Sequence, residues 1–180
     1  MHTLRWMAAL MAAGGFCVLI LGRMPMLETQ MSSMRAAAVS ADYPPVSLSD
    51  DNLVDAVGSI RLHHRLAHVG WDHSILAMDI MLRQGQNDPL GLAEDISALL
   101  RFSFDGTENV RQALIRVYRA ADGRKELLFY GDLRREYWAK AGETQPEAAS
   151  ESAMLRSLLV RYRFSATAAG ERWLQLLANS

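Results

Sequence analysis

The segment 110–133 constrains the fold more than any other, because two β-rich runs flank a tight turn. The runs 110–119 and 126–133 are rich in β-branched and aromatic residues, and Asp122-Gly123 lies between them. This dipeptide is typical of the turn that joins two antiparallel strands. We therefore predict a β-hairpin. An unbroken helix over 108–120 is the alternative, because that run also contains helix-forming residues.

A further strand is predicted from "VGWDHSILAMDIML", residues 69–82. Within 75–82, apolar residues occupy both alternating faces, which is typical of a central strand, and Asp79 is the exception. The segment "LAHVGW" just before it is a candidate pairing strand. A turn is then expected around Asp72-His73.

Helix signals precede and follow this strand. Ser49 is a suitable N-cap for a helix whose apolar positions recur at helical spacing. We expect that helix to end near Leu66, before Gly70. Asp88-Pro89 combines an N-cap acid with a proline in the first turn, so a second helix is expected from there to about Phe104.

The last forty residues are less decisive. Residues 155–166 fit a helix by the spacing of their leucines and a strand by the alternation of apolar residues with arginines, and both interpretations stay open. Residues 167–178 predict a short helix. The expected fold class is α+β, a small and mostly antiparallel sheet with helices on one face, preceded by an N-terminal transmembrane helix. The folded domain is expected over 48–140, with 141–180 as a helical C-terminal extension.

Residues 6–22 contain no charged side chain and lie between Arg5 and Arg23. As a helix they would span roughly 25 Å, the short end of the range that crosses a bilayer. We interpret 1–23 as a transmembrane anchor or uncleaved signal rather than a buried core helix. A cleaved signal peptide fits less well, because the suitable small residues at 39–41 lie far beyond the apolar run.

The segment 24–47 is rich in Met, Ser and Ala and contains Pro44-Pro45, so we interpret it as a linker. A domain that follows a short N-terminal anchor is usually exported. The expected location is the cell membrane, with a single pass through residues 6–22 and an extracytoplasmic C-terminal domain. The opposite orientation would make the protein a tethered cytosolic regulator.

The composition excludes several classes of function. A formal net charge of −1 argues against a broad nucleic-acid surface. Cys17 is the single cysteine, so neither an intrachain disulfide nor a cysteine metal cluster is expected. The chain has no Gly-rich phosphate loop and no zinc-protease signature, and we infer no cofactor and no small-molecule ligand from it.

Histidines between residues 63 and 73 are the candidate metal ligands. His64 and His68 are four residues apart, the spacing of a metal-binding pair on a helix, and His73 follows them. The signal is weak, because Gly70 should end the helix and no third ligand has matched spacing. A solvated helix end that favours positive charge explains the pair equally well.

The Trp71-Asp72-His73 sequence is interpreted as structural rather than catalytic. On one strand, His73 and Asp79 would lie roughly 20 Å apart, too far for an acid–base pair. We expect Trp71 to pack over a sheet edge and Asp72 to cap the turn. A buried Asp79 would need a cationic partner, for which Arg111, Arg116 and Arg134 are the candidates.

A family resemblance rests on "GWDHSILAMDIML", "LLRFSFDGTENVRQALIRVYR" and "GRKELLFYGDLRREYW". With these segments the chain resembles uncharacterised single-pass envelope proteins of spore-forming Gram-positive bacteria, over residues 48 to about 140. The shared pattern includes W-x-H-S-I-L-x-x-D. The resemblance implies an N-terminal anchor and an extracytoplasmic α+β domain, and no activity.

Two functions are therefore expected as alternatives. The first is a non-enzymatic protein-interaction module of the cell envelope with an envelope protein as partner. The residues expected to have a structural or interaction role in it are Trp71, Asp72, His73, Asp79 and Arg134. The second is an envelope hydrolase or metal-dependent enzyme that uses the region from His63 to His73.

Overall fold

A computed structural model of the protein describes residues 45–121, 123–141 and 150–178. The elements of this part, in chain order, are α1 (Leu53–Gly58), β1 (Arg65–Asp72), β2 (Ile75–Leu82), α2 (Pro89–Phe104), β3 (Gln112–Ala121), β4 (Arg124–Arg134), α3 (Arg135–Ala141), α4 (Glu151–Arg161), β5 (Ser165–Ala166) and α5 (Ala168–Ala178). The α+β class is confirmed.

The five strands form one sheet in the order β1-β2-β3-β4-β5. Three neighbouring pairs are antiparallel, but β2 and β3 run parallel. The sheet is therefore mixed rather than purely antiparallel. The physical reason is α2, which carries the chain back along the sheet after β2, so that β3 starts at the same end as β2.

The hydrophobic core contains alternate residues of the central strands. Leu76, Met78, Ile80 and Leu82 of β2 are fully buried, while the residues between them are only half-buried. Side chains of α2, α4 and α5 belong to the same core cluster. One face of the central strands thus contributes to the core, and we call the other the open face.

The helix predicted from Ser49 to Leu66 is much shorter than expected, and this boundary is wrong. α1 covers only Leu53–Gly58, and its N-cap is Asn52. The chain then continues without regular structure into β1. The cause is tertiary, because the backbone N–H groups of His63 and His64 donate to Asp95 of α2 instead of to a helical carbonyl.

The second helix is confirmed at both ends. The Asp88 carboxylate accepts from Gly91 N at 2.8 Å, Pro89 occupies the first turn, and the helix ends at Phe104. At its C-terminal end, Arg135 donates from Nη2 to Thr107 O at 2.7 Å and from Nε to Val110 O at 2.8 Å, and Nη1 also bonds Phe104 O. These bonds attach the start of α3 to the end of α2.

The predicted hairpin over 110–133 is confirmed as β3 and β4. Gly123 has a φ of 75°, as the turn requires. A β-bulge shifts the pairing after Val117, so that Leu128 and Phe129 are both buried although they are adjacent in sequence. The bulge therefore brings an additional side chain of β4 into the core.

The structure resolves the ambiguity of residues 155–166. Helix α4 runs to Arg161, and the two-residue strand β5 pairs Ser165 with Tyr130. Helix α5 then packs closely on β4: a Cβ on Gly170 would lie 2.2 Å from the carbonyl oxygen of Leu128. Trp173 of α5 is 1% exposed, so the C-terminal region contributes to the same core as the strands.

The first described residues are attached to the middle of the chain. Val46 bridges to Thr107, with Val46 N donating to Gly106 O at 3.0 Å and Glu108 N donating to Val46 O at 3.1 Å. The Asn109 amide then bonds both backbone groups of Leu48. The expected anchor, 1–23, and nearly all of the expected linker, 24–47, lie outside the described residues. Within the described ranges, no helix has both the length and the apolar character needed to cross a bilayer.

Candidate functional site

The carboxylate of Asp95 is the centre of a buried polar cluster on α2. Asp95 is only 1% exposed to solvent. Oδ1 accepts from His63 N at 2.7 Å, and Oδ2 accepts from His64 N at 2.9 Å. A carboxylate that receives two backbone N–H groups fixes the segment before β1 against α2, because both donors would otherwise be unsatisfied.

The two histidine rings complete this cluster. His64 Nδ1 lies 2.7 Å from Asp95 Oδ2, and His63 Nδ1 lies 3.2 Å from Oδ1. His63 Nε2 also approaches Glu94 at 3.3 Å. Since an ionised carboxylate only accepts, both Nδ1 atoms carry the proton in these contacts.

The electrostatics follow from these contacts. Burial would raise the pKa of Asp95, but the hydrogen bonds from the His64 ring and from the two backbone N–H groups outweigh it and hold the pKa below its ordinary value of 3.8. The hydrogen bond to Asp95 raises the pKa of His63 above 6.5. Asp95 therefore stays ionised at neutral pH.

The Asp95–His64 pair has the connectivity of a catalytic Asp–His pair, but its ring is closed off. The side chain of His64 has 0% exposure. Nε2 is buried, and no described group lies within hydrogen-bond distance of it. A substrate cannot reach that nitrogen without displacing the cluster. The Asp95–His64 pair therefore has a structural role, which is to hold the segment before β1 against α2.

A cleft opens beside this cluster, between α1 and β1. Its volume is about 390 Å³. Its walls are mostly aliphatic, and the apolar lining residues are Leu53, Val54, Val57, Ile60, Leu62, Leu66 and Val69. Val54 stands at the rim and is 79% exposed. The Asp95 cluster sets the position of the segment that closes one side of this cleft.

Strand β1, which forms the other wall, is the edge of the sheet. In the described part of the chain it pairs with β2 and with no other strand. Leu66 and Val69 lie on its core side, whereas Arg65 and His68 lie on the open face opposite Met81 and Asp79. Within the described residues, β1 thus has an unpaired backbone edge next to an apolar cleft.

The histidines that were predicted from the sequence as candidate metal ligands do not lie together in the structure. His64 is buried on Asp95, His68 is exposed on β1, and His73 is exposed in the β1–β2 turn. Among the described residues, no group of three or more potential ligands comes together.

Trp71, Asp72 and His73 lie at the end of β1. Trp71 is half-buried against the core, opposite Leu76. Asp72 contacts the ring of His73, and both side chains are largely exposed. His73 and Ser74 have φ values of 44° and 73°, so they form the two-residue turn of a hairpin.

Asp79 and Arg134 lie apart from each other. Asp79 bonds Arg116 Nε at 2.6 Å, which identifies the partner among the three arginines considered. Arg134 is exposed at the end of β4, opposite Gln112. Asp79 is therefore neutralised on the open face within the described domain, while Arg134 faces solvent.

Sequence reasoning missed Asp95. The available signal was its position between Leu92 and Leu99 on the apolar stripe of the predicted helix, where a charged residue requires a buried partner.

Comparison of the chain with protein-family models, with curated proteins and with solved structures finds no match.

Proposed function

We propose that the protein is a non-enzymatic interaction module, held at the cell membrane by residues 6–22, with its folded domain in the envelope outside the cytoplasm. The uncharged run between Arg5 and Arg23 supports the anchor. The resemblance to single-pass envelope proteins of spore-forming Gram-positive bacteria supports the location and suggests an envelope protein as partner.

The observation that carries the interaction role is the apolar cleft beside the outer edge of β1, which no strand of the described ranges covers. Exposed aliphatic side chains such as Val54 are costly in water when they border a concave surface, and such surfaces commonly bind other molecules. The buried polar cluster at Asp95 is used internally to hold the wall of this cleft.

No specific observation favours the enzyme alternative. The histidines of region 63–73 do not converge, and the ring of His64 is inaccessible. Apart from His64, whose side chain has 0% exposure, the cleft is lined by aliphatic side chains and Gly58, which provide neither a nucleophile nor a proton donor.

Photocrosslinking in living cells tests the interaction role. A photoreactive residue replaces Val54, and the control position is Val160, which is 78% exposed and lies on α4. We expect a discrete protein adduct at position 54 and none at 160. Equal yields at both positions, or no adduct at either, would contradict the proposal.

Cysteine labelling tests the orientation. The single native thiol is removed by Cys17→Ser, and Ser157→Cys places a new one on the exposed surface of α4. A membrane-impermeant maleimide should label intact cells. Labelling only after permeabilisation would place the domain in the cytoplasm and contradict this part of the proposal.

A further inference from the structure

We infer that the protein forms a symmetric dimer in which β1 pairs antiparallel with β1 of a second copy, so that the two sheets join into one. The inference rests on the proposed function and names the partner of the same edge and cleft, which is another molecule of this chain. It follows from the backbone of β1, from the register that pairs its full length, and from the side chains which that register brings together.

The outer edge of β1 has backbone groups available for pairing. β1 has eight residues, and among the described strands only β2 pairs with it. In a two-residue hairpin the residues that flank the turn, here Asp72 and Ile75, bond each other. Because this bonding alternates along the strand, the N–H and C=O groups of Trp71 and Val69 point away from β2. A strand of another molecule can pair with these groups.

A single symmetric register pairs the whole of β1 with a second copy of itself. Ala67 is the extra residue where the register shifts between Leu66 and His68, and it has no partner on β2. When this extra residue is left out, Val69 is the middle residue of the strand. A two-fold axis at Val69 therefore gives each remaining residue of β1 a partner on the second copy. An axis at any other residue would leave one end of each strand unpaired.

This register places opposite charges at both ends of the strand pair. Arg65 lies opposite Asp72 of the second copy, and the symmetry repeats this pair at the other end. Both residues lie on the open face, since their partners on β2 are Met81 and Ile75. The side chain of Asp72 is 79% exposed, and Arg65 is exposed and forms no ion pair with another described residue. Opposite charges at facing positions stabilise a strand pair, so this edge is complementary to itself.

The same register brings apolar side chains together on the other face. Val69 faces Val69 of the second copy, and Leu66 faces its Trp71. These three side chains are only half-buried in a single molecule, where they pack against the core. Leu66 and Val69 also line the cleft, and Val54 stands at its rim. Pairing would therefore remove further apolar surface from water beside the cleft.

Charge reversal tests the pairing in the full-length chain in detergent, with analytical ultracentrifugation as the measurement. We expect a reversible dimer of the wild type. Arg65→Asp would place two acidic residues opposite each other at both ends, and Asp72→Arg would place two basic residues there. Each should raise the dimer dissociation constant at least about tenfold. The double variant Arg65→Asp/Asp72→Arg restores opposite charges and should dimerise within about threefold of the wild type.

Recovery in the double variant is the decisive result, because a loss of stability at either position would not be repaired by a second reversal. Arg124→Asp, an exposed charge reversal on β4, is the matched control and should leave the dissociation constant unchanged. A wild type that stays monomeric at all concentrations would overturn the inference. So would a double variant as weak as the single ones, or equal weakening by Arg124→Asp.

An engineered disulfide tests the register. Two chains both carry Cys17→Ser, and one also carries Arg65→Cys while the other carries Asp72→Cys. Facing residues whose backbones do not bond each other have Cα atoms about 4.5 Å apart, a distance that a disulfide spans. After mild oxidation, a linked dimer should form in the mixture and not in either variant alone, because two copies of residue 65 lie at opposite ends of the strand pair. Equal yields in the mixture and in the separate samples, or no linked dimer in the mixture, would overturn this register.

The failures of the two proposals are distinguishable. If the partner is a second copy, the adduct at position 54 has twice the mass of the chain. If that adduct contains only a different protein and the chain is monomeric in detergent, the interaction role stands and the second copy is wrong. If there is neither an adduct nor a dimer, both are wrong. A dimer with the expected disulfide but no adduct at position 54 would support the second copy and contradict the role of the cleft.

Discussion

Asp95 holds His64 twice through one carboxylate oxygen: Oδ2 accepts from the backbone N–H at 2.9 Å and from ring Nδ1 at 2.7 Å. Asp95 lies on α2 and His64 in the irregular segment before β1, 31 positions apart in the sequence. A contact of this kind determines where the chain leaves α1 and how β1 starts. The wall of the cleft therefore depends on a charge buried in α2.

Substitution of this carboxylate should destabilise the domain. Asp95→Asn replaces one accepting oxygen with an NH₂ group that faces N–H donors, and we expect a loss of about 2–4 kcal/mol in the free energy of unfolding. Chemical denaturation of the two proteins measures it. Glu94→Gln, at the half-exposed neighbour, is the control and should change stability by less than about 0.5 kcal/mol. Equal effects at both positions would contradict the role of burial.

The low pKa of the Asp95 carboxyl group should also make the stability of the domain depend on pH in the acid range. The folded pKa of Asp95 is below its unfolded value of 3.8, so its contribution is complete above 3.8 and is lost as the pH falls through the folded pKa. The difference in stability between the wild type and Asp95→Asn should be largest near pH 5 and shrink below about 3.8, and it should also decrease above 6.5, where His63 begins to lose the proton that its bond to Asp95 stabilises. Unfolding curves across this range measure it; a difference that grew in acid would refute the assignment.

His63 should act in the opposite sense. Its folded pKa is raised above 6.5, so its stabilising contribution is present below 6.5 and is lost as the pH rises through the folded value. The effect is small, because the side chain is 53% exposed and solvent screens it. His63→Gln should therefore cost more stability at pH 5.5 than at pH 8.5. A larger cost at the higher pH would show that charge on His63 is not what matters.

Substitution of the two residues of the β1–β2 turn should increase the stability of the domain. His73 and Ser74 both have positive φ, which is unfavourable for residues with a Cβ. Replacement of His73-Ser74 by Asn-Gly, the preferred sequence of such a turn, should stabilise the domain by about 1 kcal/mol. Thermal unfolding tests this, and a decrease in the melting temperature would indicate that the exposed contact between Asp72 and His73 matters more than the backbone.

Two glycines should respond oppositely to alanine. At Gly170 a Cβ would lie 2.2 Å from Leu128 O, so Gly170→Ala should push α5 away from β4 and cost more than about 2 kcal/mol. At Gly58, near the end of α1, no atom lies within 4 Å of the added carbon. Gly58→Ala should be neutral or slightly stabilising. Denaturation of both variants compares packing with helix propensity, and equal outcomes would reject the close approach of α5.

Arg135 and Arg134 form a matched pair of neighbours. Arg135 donates to carbonyl groups that include Thr107 O and Val110 O, whereas Arg134 is exposed. Arg135→Lys keeps the charge but loses the fork of donors, and should cost about 2–3 kcal/mol; Arg134→Lys should cost almost nothing. A similar cost for both variants in urea unfolding would show that charge at this end of β4 dominates.

The sequence correctly predicted those helices and strands that are determined by residues close to one another in the chain. The hairpin over 110–133 and the helix from Asp88 to Phe104 depend on a turn, a cap and a periodic stripe, all of which are visible in the sequence. The end of α1 was wrong because Asp95, far along the chain, takes the backbone donors of His63 and His64. The parallel pairing of β2 with β3 was missed because it depends on the path of α2.

The same distinction applies to the site. Asp79 was expected to need an arginine, since a charge on a central strand requires compensation, but only the register of β2 and β3 identifies Arg116. The cleft was not predicted at all. It exists because α1 ends early and leaves space in front of β1, and that early end is itself a tertiary effect.

The bridge between Val46 and Thr107 has a mechanical consequence. If the preceding segment is tethered to a membrane, tension on it reaches the domain first at Val46 and Leu48, whose bonds to Gly106, Glu108 and Asn109 lie between α2 and β3. The pulling force would therefore act first on the loop that precedes β3, the central strand of the sheet. The short helix α1 and the edge strand β1 come later along the chain, so the cleft would keep its shape until that first attachment breaks.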